Sequence, residues 1–147
     1  MSHKKTRFGI LGTASIARAL IGQKFEHLEL VAIASRDINK ANAFADEANI
    51  PKRYGSYESL LADNEIDAVY IPLPHHLHCE YTIRAAKAKK HVIVEKPAAL
   101  SSNEIEQMSD ACQANGVLLM EAFMYRFMRA HTRAKEIVRE GTIGTLR

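Results

Sequence analysis

The sequence lacks the features that mark several classes of protein. It contains no tryptophan and only two cysteines, Cys79 and Cys112, whose spacing fits no disulfide framework. Two isolated thiols in a chain of 147 residues favour a reducing compartment, so we expect a cytoplasmic protein. No segment approaches the roughly 18 consecutive apolar residues that a transmembrane helix needs, so we expect no membrane association.

The excess of positive over negative charge is also small. Lys and Arg number 20 against 17 Asp and Glu, and the basic residues are spread along the chain. So small an excess does not favour a nucleic-acid partner. The basic N-terminus leads into an apolar run without a cleavage site, which favours a first strand over a signal peptide. With 47% hydrophobic and 25% charged residues, the composition predicts an ordinary globular core.

Short apolar runs alternate with amphipathic stretches along the chain. Continuous hydrophobicity within a run is typical of strands that are buried on both faces of a parallel sheet. Strands separated by helices predict an α/β fold with a doubly wound parallel sheet of the Rossmann type. The predicted strands are Phe8–Leu11, Leu30–Ala34, Ala68–Ile71, His91–Val94 and Val117–Met120, and the predicted helices are Ile16–Phe25, Asn39–Ala48, Tyr57–Ala62, Leu77–Ala88 and Ser102–Ala114.

Polar residues at the predicted helix ends support these boundaries. Ser101 followed by Glu104 predicts a capping box, in which each side chain bonds a backbone N–H of the other residue. Asp37 is expected to cap the helix that follows it. Asn115 and Gly116 supply the left-handed turn that ends a helix.

A loop poor in glycine follows the first strand. Aligned on the dinucleotide fingerprint G-x-G-x-x-G/A, its positions are Gly12, Ala14 and Ala17. A strand before the loop and a helix after it favour cofactor binding, although small residues used only for packing remain the alternative. Backbone N–H groups would face the pyrophosphate. The expected contacts come from Gly12, Thr13, Ala14, Ser15 and Ile16.

The end of the second strand indicates which dinucleotide binds. An acidic residue there would hold the ribose 2′-hydroxyl of NAD. The sequence has Ser35 and Arg36 instead, and a guanidinium can pair with a 2′-phosphate. We therefore predict NADP, with NAD as the alternative if Arg36 is merely solvated and Asp37 only caps its helix.

Later motifs resemble one family in their order and spacing. They are Ile71-Pro-Leu-Pro74 with Leu77-His78, His91-Val-Ile-Val-Glu-Lys-Pro97, Met120–Phe127 and Glu140-Gly-Thr-Ile-Gly144. The set resembles the glucose–fructose oxidoreductase and inositol dehydrogenase family across essentially the whole chain. It looks most similar to the branch of dimeric dihydrodiol dehydrogenases and NADP-dependent xylose dehydrogenases.

The resemblance implies an oxidoreductase that transfers hydride between NADP and a CH–OH group of a sugar or cyclic polyol. It implies that Lys96 is the catalytic acid and base, and that the Lys96–Pro97 bond is cis. Such enzymes have two domains, so we expect residues 1–125 to bind the cofactor and residues 126–147 to link to a substrate domain. Further cofactor contacts would come from Leu73, Pro74, His75, His78, Glu95, Lys96 and Arg126.

Several residues depart from the family pattern. His75 replaces the usual Asn, and Met128 replaces a frequent His. Lys89 replaces a common Gly, which costs on the order of 1 kcal/mol if the backbone there is left-handed. The cluster of His75, His76, His78 and Cys79 lies on one turn, whereas zinc sites usually draw ligands from two elements, so we expect no metal.

The end of the sequence carries two more expectations. Arg126–Glu140 predicts an amphipathic helix, and Gly141–Arg147 predicts a turn that opens a strand. A strand without a partner is unstable, so we expect a C-terminal substrate half to be missing and an apolar surface to be exposed. The full-length protein would bind its sugar or polyol substrate through that half and form a homo-oligomer. The alternative is a non-catalytic nucleotide-binding or regulatory module.

Overall fold

The structure, a computed structural model, describes residues 4–145. The strands are β1 (Thr6–Leu11), β2 (Leu28–Ala34), β3 (Lys52–Tyr54), β4 (Ala68–Ile71), β5 (His91–Val94) and β6 (Leu119–Glu121). The α-helices are α1 (Ile38–Ala48), α2 (Tyr57–Leu61), α3 (His78–Lys87), α4 (Ser102–Asn115) and α5 (Arg129–Arg139). Three 3-10 helices span Ser15–Leu20, His75–Leu77 and Met124–Phe127.

The six strands form one parallel sheet in the order β3-β2-β1-β4-β5-β6. The chain leaves β1 in one direction to form β2 and β3, and then returns to add β4 on the other side of β1. This reversal creates a crevice at the carboxyl ends of β1 and β4, where ligands of doubly wound sheets bind. The predicted Rossmann-type fold is confirmed.

Hydrophobic side chains fill both faces of the sheet. Ile10 and Leu11 are adjacent in β1 and fully buried, yet they belong to two different hydrophobic clusters, one on each face. Ile33 and Ala34 in β2 repeat this arrangement. The continuous apolar runs in the sequence therefore reflect strands covered on both sides. Cys79 and Cys112 are free thiols.

Side-chain caps fix the starts of α1 and α4. Asp37 accepts a hydrogen bond from the N–H of Asn39 at 2.9 Å, which confirms the predicted cap of α1. Ser101 Oγ accepts from the N–H of Glu104 at 3.3 Å, as predicted. The reciprocal half of the capping box differs from the prediction, because Glu104 Oε2 accepts from the N–H of Leu100 at 2.8 Å.

The helix after β1 is shorter than predicted. Instead of an α-helix over Ile16–Phe25, the chain forms the 3-10 helix Ser15–Leu20. Ile21 is already extended, with φ −68° and ψ 131°, and Gly22 adopts a φ of 74°. The N–H of Gln23 bonds the carbonyl of Leu20 at 3.3 Å, so Ile21 and Gly22 are the central residues of a turn that leads the chain away from the helix, and the positive φ of its second central residue favours glycine.

Two strands differ from the sequence prediction. The edge strand β3 is unpredicted, because it is only three residues long and two of them are Lys52 and Arg53. The last strand is β6 rather than Val117–Met120. It starts later because the N–H of Val117 still bonds the carbonyl of Cys112 and closes the end of α4.

The segment after β6 also differs in detail. The helix predicted over Arg126–Glu140 is divided into the 3-10 helix Met124–Phe127 and α5 by Met128, which is extended at φ −78° and ψ 134°. Residues 141–143 form a turn, as predicted. Residues 144 and 145 are not in a strand, and the last residues of the predicted strand, Leu146 and Arg147, lie outside the described part. None of the α5 residues is buried. Within residues 4–145, the helices are too short or too polar to cross a bilayer.

Candidate functional site

Most of the predicted site residues follow the carboxyl ends of four neighbouring strands. Gly12 follows β1, Ser35 follows β2, Leu73 lies two residues after β4, and Glu95 follows β5. Because these strands are parallel neighbours, all four residues lie along one edge of the sheet. That edge is where such folds bind nucleotides.

Gly12 joins three of these strands. Its N–H donates to the carbonyl of Ala34 at the end of β2, at 2.8 Å. Its φ is 104°, a value that side-chain-bearing residues rarely adopt, and an added Cβ would lie 2.9 Å from Leu73 Cδ2. The position therefore requires glycine, and it brings the β4 loop against the phosphate loop.

Ala14 fits the second position of the fingerprint for a local reason. Its φ is −62° and its ψ 148°, so the backbone there needs no glycine. Within residues 4–145, the amides of Thr13 and Ala14 have no backbone acceptor, which leaves two adjacent N–H groups for an anion. Ser15 and Ile16 are exposed at the start of the 3-10 helix. Ala17 is fully buried and lets this helix pack closely on the sheet.

The loops after β1 and β2 line a polar pocket of about 440 Å³. Ser35 is buried, and its Oγ accepts from the N–H of Asp37 at 3.2 Å. Arg36 and Lys40 are exposed cations on the wall of this pocket. The pocket unites the predicted residues Thr13, Ser35 and Arg36 and adds Asp37, Lys40 and Tyr57.

Lys40 is a candidate residue that the sequence reasoning missed. It lies in the first turn of α1, four residues after Arg36. The predicted cap at Asp37 was the signal that could have found it, because residues four apart at the start of a helix lie on the same side. Asp37, by contrast, uses Oδ1 to cap α1. The pocket thus presents two cations and a capping carboxylate, a balance that suits a phosphate better than a ribose diol.

His78 occupies a different position from the one predicted. It is fully buried at the start of α3, and therefore does not face the crevice as a direct cofactor contact would. Its Nε2 lies 2.7 Å from the carbonyl oxygen of Leu73, and its Nδ1 lies 2.9 Å from that of Pro97. Of its neighbours, Pro74 and His75 are exposed, and the His75 ring meets the His78 ring edge-on at 5.5 Å.

Glu95 and Lys96 leave β5 at the edge of the crevice. Tyr70 donates from Oη to Glu95 Oε1 at 2.7 Å, and Glu95 Oε2 accepts from the N–H of Lys96 at 3.2 Å. Desolvation and this carboxylate raise the pKa of Tyr70 well above its ordinary value, so Tyr70 stays a neutral donor. The Lys96–Pro97 bond is cis, as the resemblance implied. The Lys96 side chain is exposed.

Two further features of the sequence lie apart from the polar pocket: Arg126, a predicted cofactor contact, and the histidine cluster of residues 75–79. Arg126 is exposed in the 3-10 helix Met124–Phe127 and does not line the polar pocket. Among residues 4–145, no three His, Cys, Asp or Glu side chains are grouped so as to hold a metal ion.

Comparison with known proteins shows which family has this arrangement. Residues 6–123 match the model of the Gfo/Idh/MocA family, described as an oxidoreductase family with an NAD-binding Rossmann fold. The chain belongs to this family. The predicted resemblance is confirmed, and a nicotinamide dinucleotide is the cofactor class of the family.

Curated relatives include both enzymes of the predicted branch. The chain is 53% identical over 134 residues to D-xylose 1-dehydrogenase (NADP(+)) 2 of Haloferax volcanii, which covers 89% of this chain and 41% of that protein. It is 37% identical to trans-1,2-dihydrobenzene-1,2-diol dehydrogenase of Mus musculus, over 96% of this chain and 44% of the relative.

Solved structures of oxidoreductases also match nearly the whole of this chain. A 3-ketoreductase from Actinomadura kijaniata, in complex with NADP, matches with a TM-score of 0.88 at 35% identity, over 98% of this chain and 47% of that one. The myo-inositol 2-dehydrogenase of Lactobacillus plantarum matches with a TM-score of 0.86 at 30% identity, over 97% and 43%. The chain thus spans less than half the length of these relatives.

Proposed function

We propose that this chain is the NADP-binding domain of an oxidoreductase that acts on a CH–OH group of a sugar or cyclic polyol. The observation that carries the proposal is the continuous edge formed by the phosphate loop, the cationic pocket after β2 and the Glu95-Lys96-Pro97 segment after β5. Two relatives support it: one is named as a D-xylose 1-dehydrogenase that uses NADP⁺, and the other is named as a trans-1,2-dihydrobenzene-1,2-diol dehydrogenase.

The residues present fit an NADP molecule along this edge. Gly12 supplies the left-handed backbone of the phosphate loop and its close contact with Leu73, which an added Cβ would disturb. The free amides of Thr13 and Ala14 would hold the pyrophosphate, and Ser35, Arg36 and Lys40 would hold the 2′-phosphate. Pro74, His75 and Glu95 would line the nicotinamide end, and Arg126 would approach it from the segment after β6.

Lys96 Nζ is the group that moves a proton in this proposal. When bound, the cofactor supplies the hydride acceptor for oxidation and the hydride donor for reduction. Oxidation of a carbinol also releases its hydroxyl proton, which neutral Lys96 Nζ accepts, and the ammonium returns the proton in the reverse direction. Glu95 fixes the backbone of Lys96 through the bond to its N–H.

The remaining assignments are also proposals. We place the cofactor domain in residues 1–125 and a connection to a substrate domain in residues 126–147. The relatives extend well beyond this chain, so contacts with substrate and with other subunits would come from such a domain. Two free thiols are consistent with a cytoplasmic location.

The test of the proposed function uses a fusion in which this chain replaces the matched segment of the H. volcanii xylose dehydrogenase. The fusion should oxidise D-xylose with NADP⁺. Lys96→Met should lower kcat about 10²- to 10⁴-fold, the usual worth of general acid–base catalysis, with the Kd of NADP⁺ nearly unchanged. Steady-state rates and cofactor titration measure both quantities.

A matched control is Lys87→Met, which replaces an exposed lysine at the end of α3. It should leave kcat unchanged. A folded fusion that binds NADP⁺ without oxidising D-xylose would contradict the proposed function. An active fusion in which Lys96→Met retains full turnover would show that Lys96 is not the acid–base group.

A further inference from the structure

The peptide group between Pro97 and Ala98 is bonded at both ends by side chains from other elements. His78 Nδ1, at the start of α3, lies 2.9 Å from the Pro97 carbonyl oxygen. Glu121 Oε1, at the end of β6, accepts from the N–H of Ala98 at 2.9 Å. A peptide group is planar and rigid, so fixing both its carbonyl and its N–H fixes its orientation. This group begins one residue after Lys96.

His78 also connects this peptide group to the loop after β4. Its Nε2 lies 2.7 Å from the Leu73 carbonyl oxygen, and the ring is fully buried. Carbonyl oxygens only accept, so a neutral ring donates to one of them and a doubly protonated ring to both. The two contacts place the buried ring between the loop after β4 and the segment after β5.

Glu121 is placed by the register of the sheet. It pairs with Val94, the last residue of β5, so its side chain lies beside the turn that Glu95, Lys96 and Pro97 make on leaving the sheet. Ala98 is buried, with 4% of its surface exposed. Its N–H would be left without a partner if the Glu121 carboxylate were removed, which disfavours the present backbone conformation.

We infer that His78 and Glu121 are positioning residues that orient Lys96 by holding the peptide group between Pro97 and Ala98. The peptide group before Lys96 is fixed as well, because its N–H bonds Glu95, whose carboxylate is held by Tyr70. The backbone on both sides of Lys96 is therefore anchored to three different elements, while its side chain is exposed. This inference depends on the proposed role of Lys96. It assigns a positioning role to two residues outside the Glu-Lys-Pro segment.

The first experiment measures hydrogen exchange at the amide of Ala98 in the 147-residue chain. Glu121→Ala should accelerate this exchange about tenfold or more, whereas Glu121→Gln keeps an acceptor oxygen and should leave it near the wild-type rate. The matched control is Glu104→Ala, which removes a carboxylate that accepts from Leu100, two residues further along. It should not change exchange at Ala98.

The second experiment measures turnover in the xylose dehydrogenase fusion. Small displacements of a catalytic group cost up to about 10²-fold, so Glu121→Ala should lower kcat about 10- to 100-fold. The Kd of NADP⁺ should stay within about threefold, and Glu121→Gln should restore kcat to within about threefold of wild type. His78→Asn should lower kcat in the same way.

The outcomes separate this inference from the proposed function. Unchanged exchange at Ala98 in Glu121→Ala, or equal loss of kcat in Glu121→Ala and Glu104→Ala, would overturn the positioning role. If Lys96→Met leaves turnover intact while Ala98 exchange responds as expected, the peptide group is held by Glu121 but the proposed role of Lys96 is wrong.

Discussion

Single residues decide how this edge of the sheet can bind a dinucleotide. Gly12 combines a φ of 104° with a Cβ position blocked by Leu73, so its identity is fixed by backbone geometry. Ala14, in an ordinary extended conformation, shows why the second glycine of the fingerprint is dispensable here. Ser35 and Arg36 were recognisable from sequence because they end a buried strand. Lys40 joins them only once α1 brings it to the same pocket.

Lys89 is a residue at which side-chain identity conflicts with backbone conformation. Its φ is 60°, in the left-handed region that costs non-glycine residues about 1 kcal/mol. Lys89→Gly should therefore stabilise the protein, despite loss of the exposed bond from Lys89 Nζ to Asn115 Oδ1 at 3.0 Å. We expect the melting temperature to rise by about 3 °C in thermal unfolding.

Lys89→Ala is the matched control, because it removes the same side-chain bond and keeps the Cβ in the left-handed conformation. Its melting temperature should equal or fall below that of the wild type. Equal stabilisation by glycine and alanine would show that backbone strain at this position is not the cause.

The strands and helices that local sequence patterns encode could be predicted. Continuous apolar runs identified β1, β2, β4 and β5, and caps identified the starts of α1 and α4. The strand β3 was missed because Lys52 and Arg53 carry no apolar signal, and its pairing to β2 depends on tertiary contacts. The roles of His78, Tyr70 and Glu121 were missed for the same reason, since their partners lie between 5 and 25 residues away.

One ion pair ties the start of β1 to the start of β4. Arg7 donates from Nε and Nη2 to the two carboxylate oxygens of Asp67, at 3.0 and 2.8 Å, and its N–H adds a third bond. These hydrogen bonds hold the pKa of Asp67 at about 2, below the ordinary value of 3.8. A depressed carboxylate pKa stabilises the folded state above the unfolded-state pKa, and this stability is lost as pH falls through the folded-state pKa.

We therefore expect the melting temperature to fall between about pH 4 and pH 2. Asp67→Asn should lower the melting temperature at pH 7 and make its decline in that acid range less steep. Asp63, whose pKa is lowered by Lys52 and Tyr54, accounts for part of the remaining slope. Asp110→Asn, at an exposed position of α4, is the control. Parallel acid profiles for Asp67→Asn and wild type would exclude this contribution from the pair.

The whole molecule exposes apolar side chains in the segment after β6. Phe127 has 74% of its surface exposed and Met128 55%, and α5 buries none of its residues. Exposed apolar patches of this kind favour association. The chain alone should therefore self-associate at micromolar concentrations, as measured by sedimentation velocity. The exposed large apolar side chains of the segment after β6 are Met124, Tyr125, Phe127, Met128 and Ile143.

Replacing Phe127 and Met128 together with Ser should shift the chain toward the monomer. Leu118→Ser is a matched control, because Leu118 is equally exposed at 73% but precedes β6 instead of following it. A wild-type chain that remains monomeric, with amides of α5 protected from hydrogen exchange, would contradict this account of the surface.

We propose that the edge formed by β1, β2, β4 and β5 binds NADP. The most direct measurement is titration of the ¹⁵N-labelled chain with NADP⁺ and NAD⁺, for wild type and Arg36→Ala. Arg133→Ala serves as the control, since Arg133 is an exposed arginine of α5 that pairs with Glu136 and Glu140.

We expect saturable amide shifts confined to residues 12–16, 35–40, 73–78 and 95–98, with tighter binding of NADP⁺ than of NAD⁺. Arg36→Ala should weaken NADP⁺ about 10- to 100-fold, the worth of charge-assisted bonds to a phosphate, and leave NAD⁺ nearly unchanged. Arg133→Ala should change neither affinity. Equal or tighter binding of NAD⁺ would contradict the choice of NADP, and shifts located elsewhere on the chain would contradict the binding edge itself.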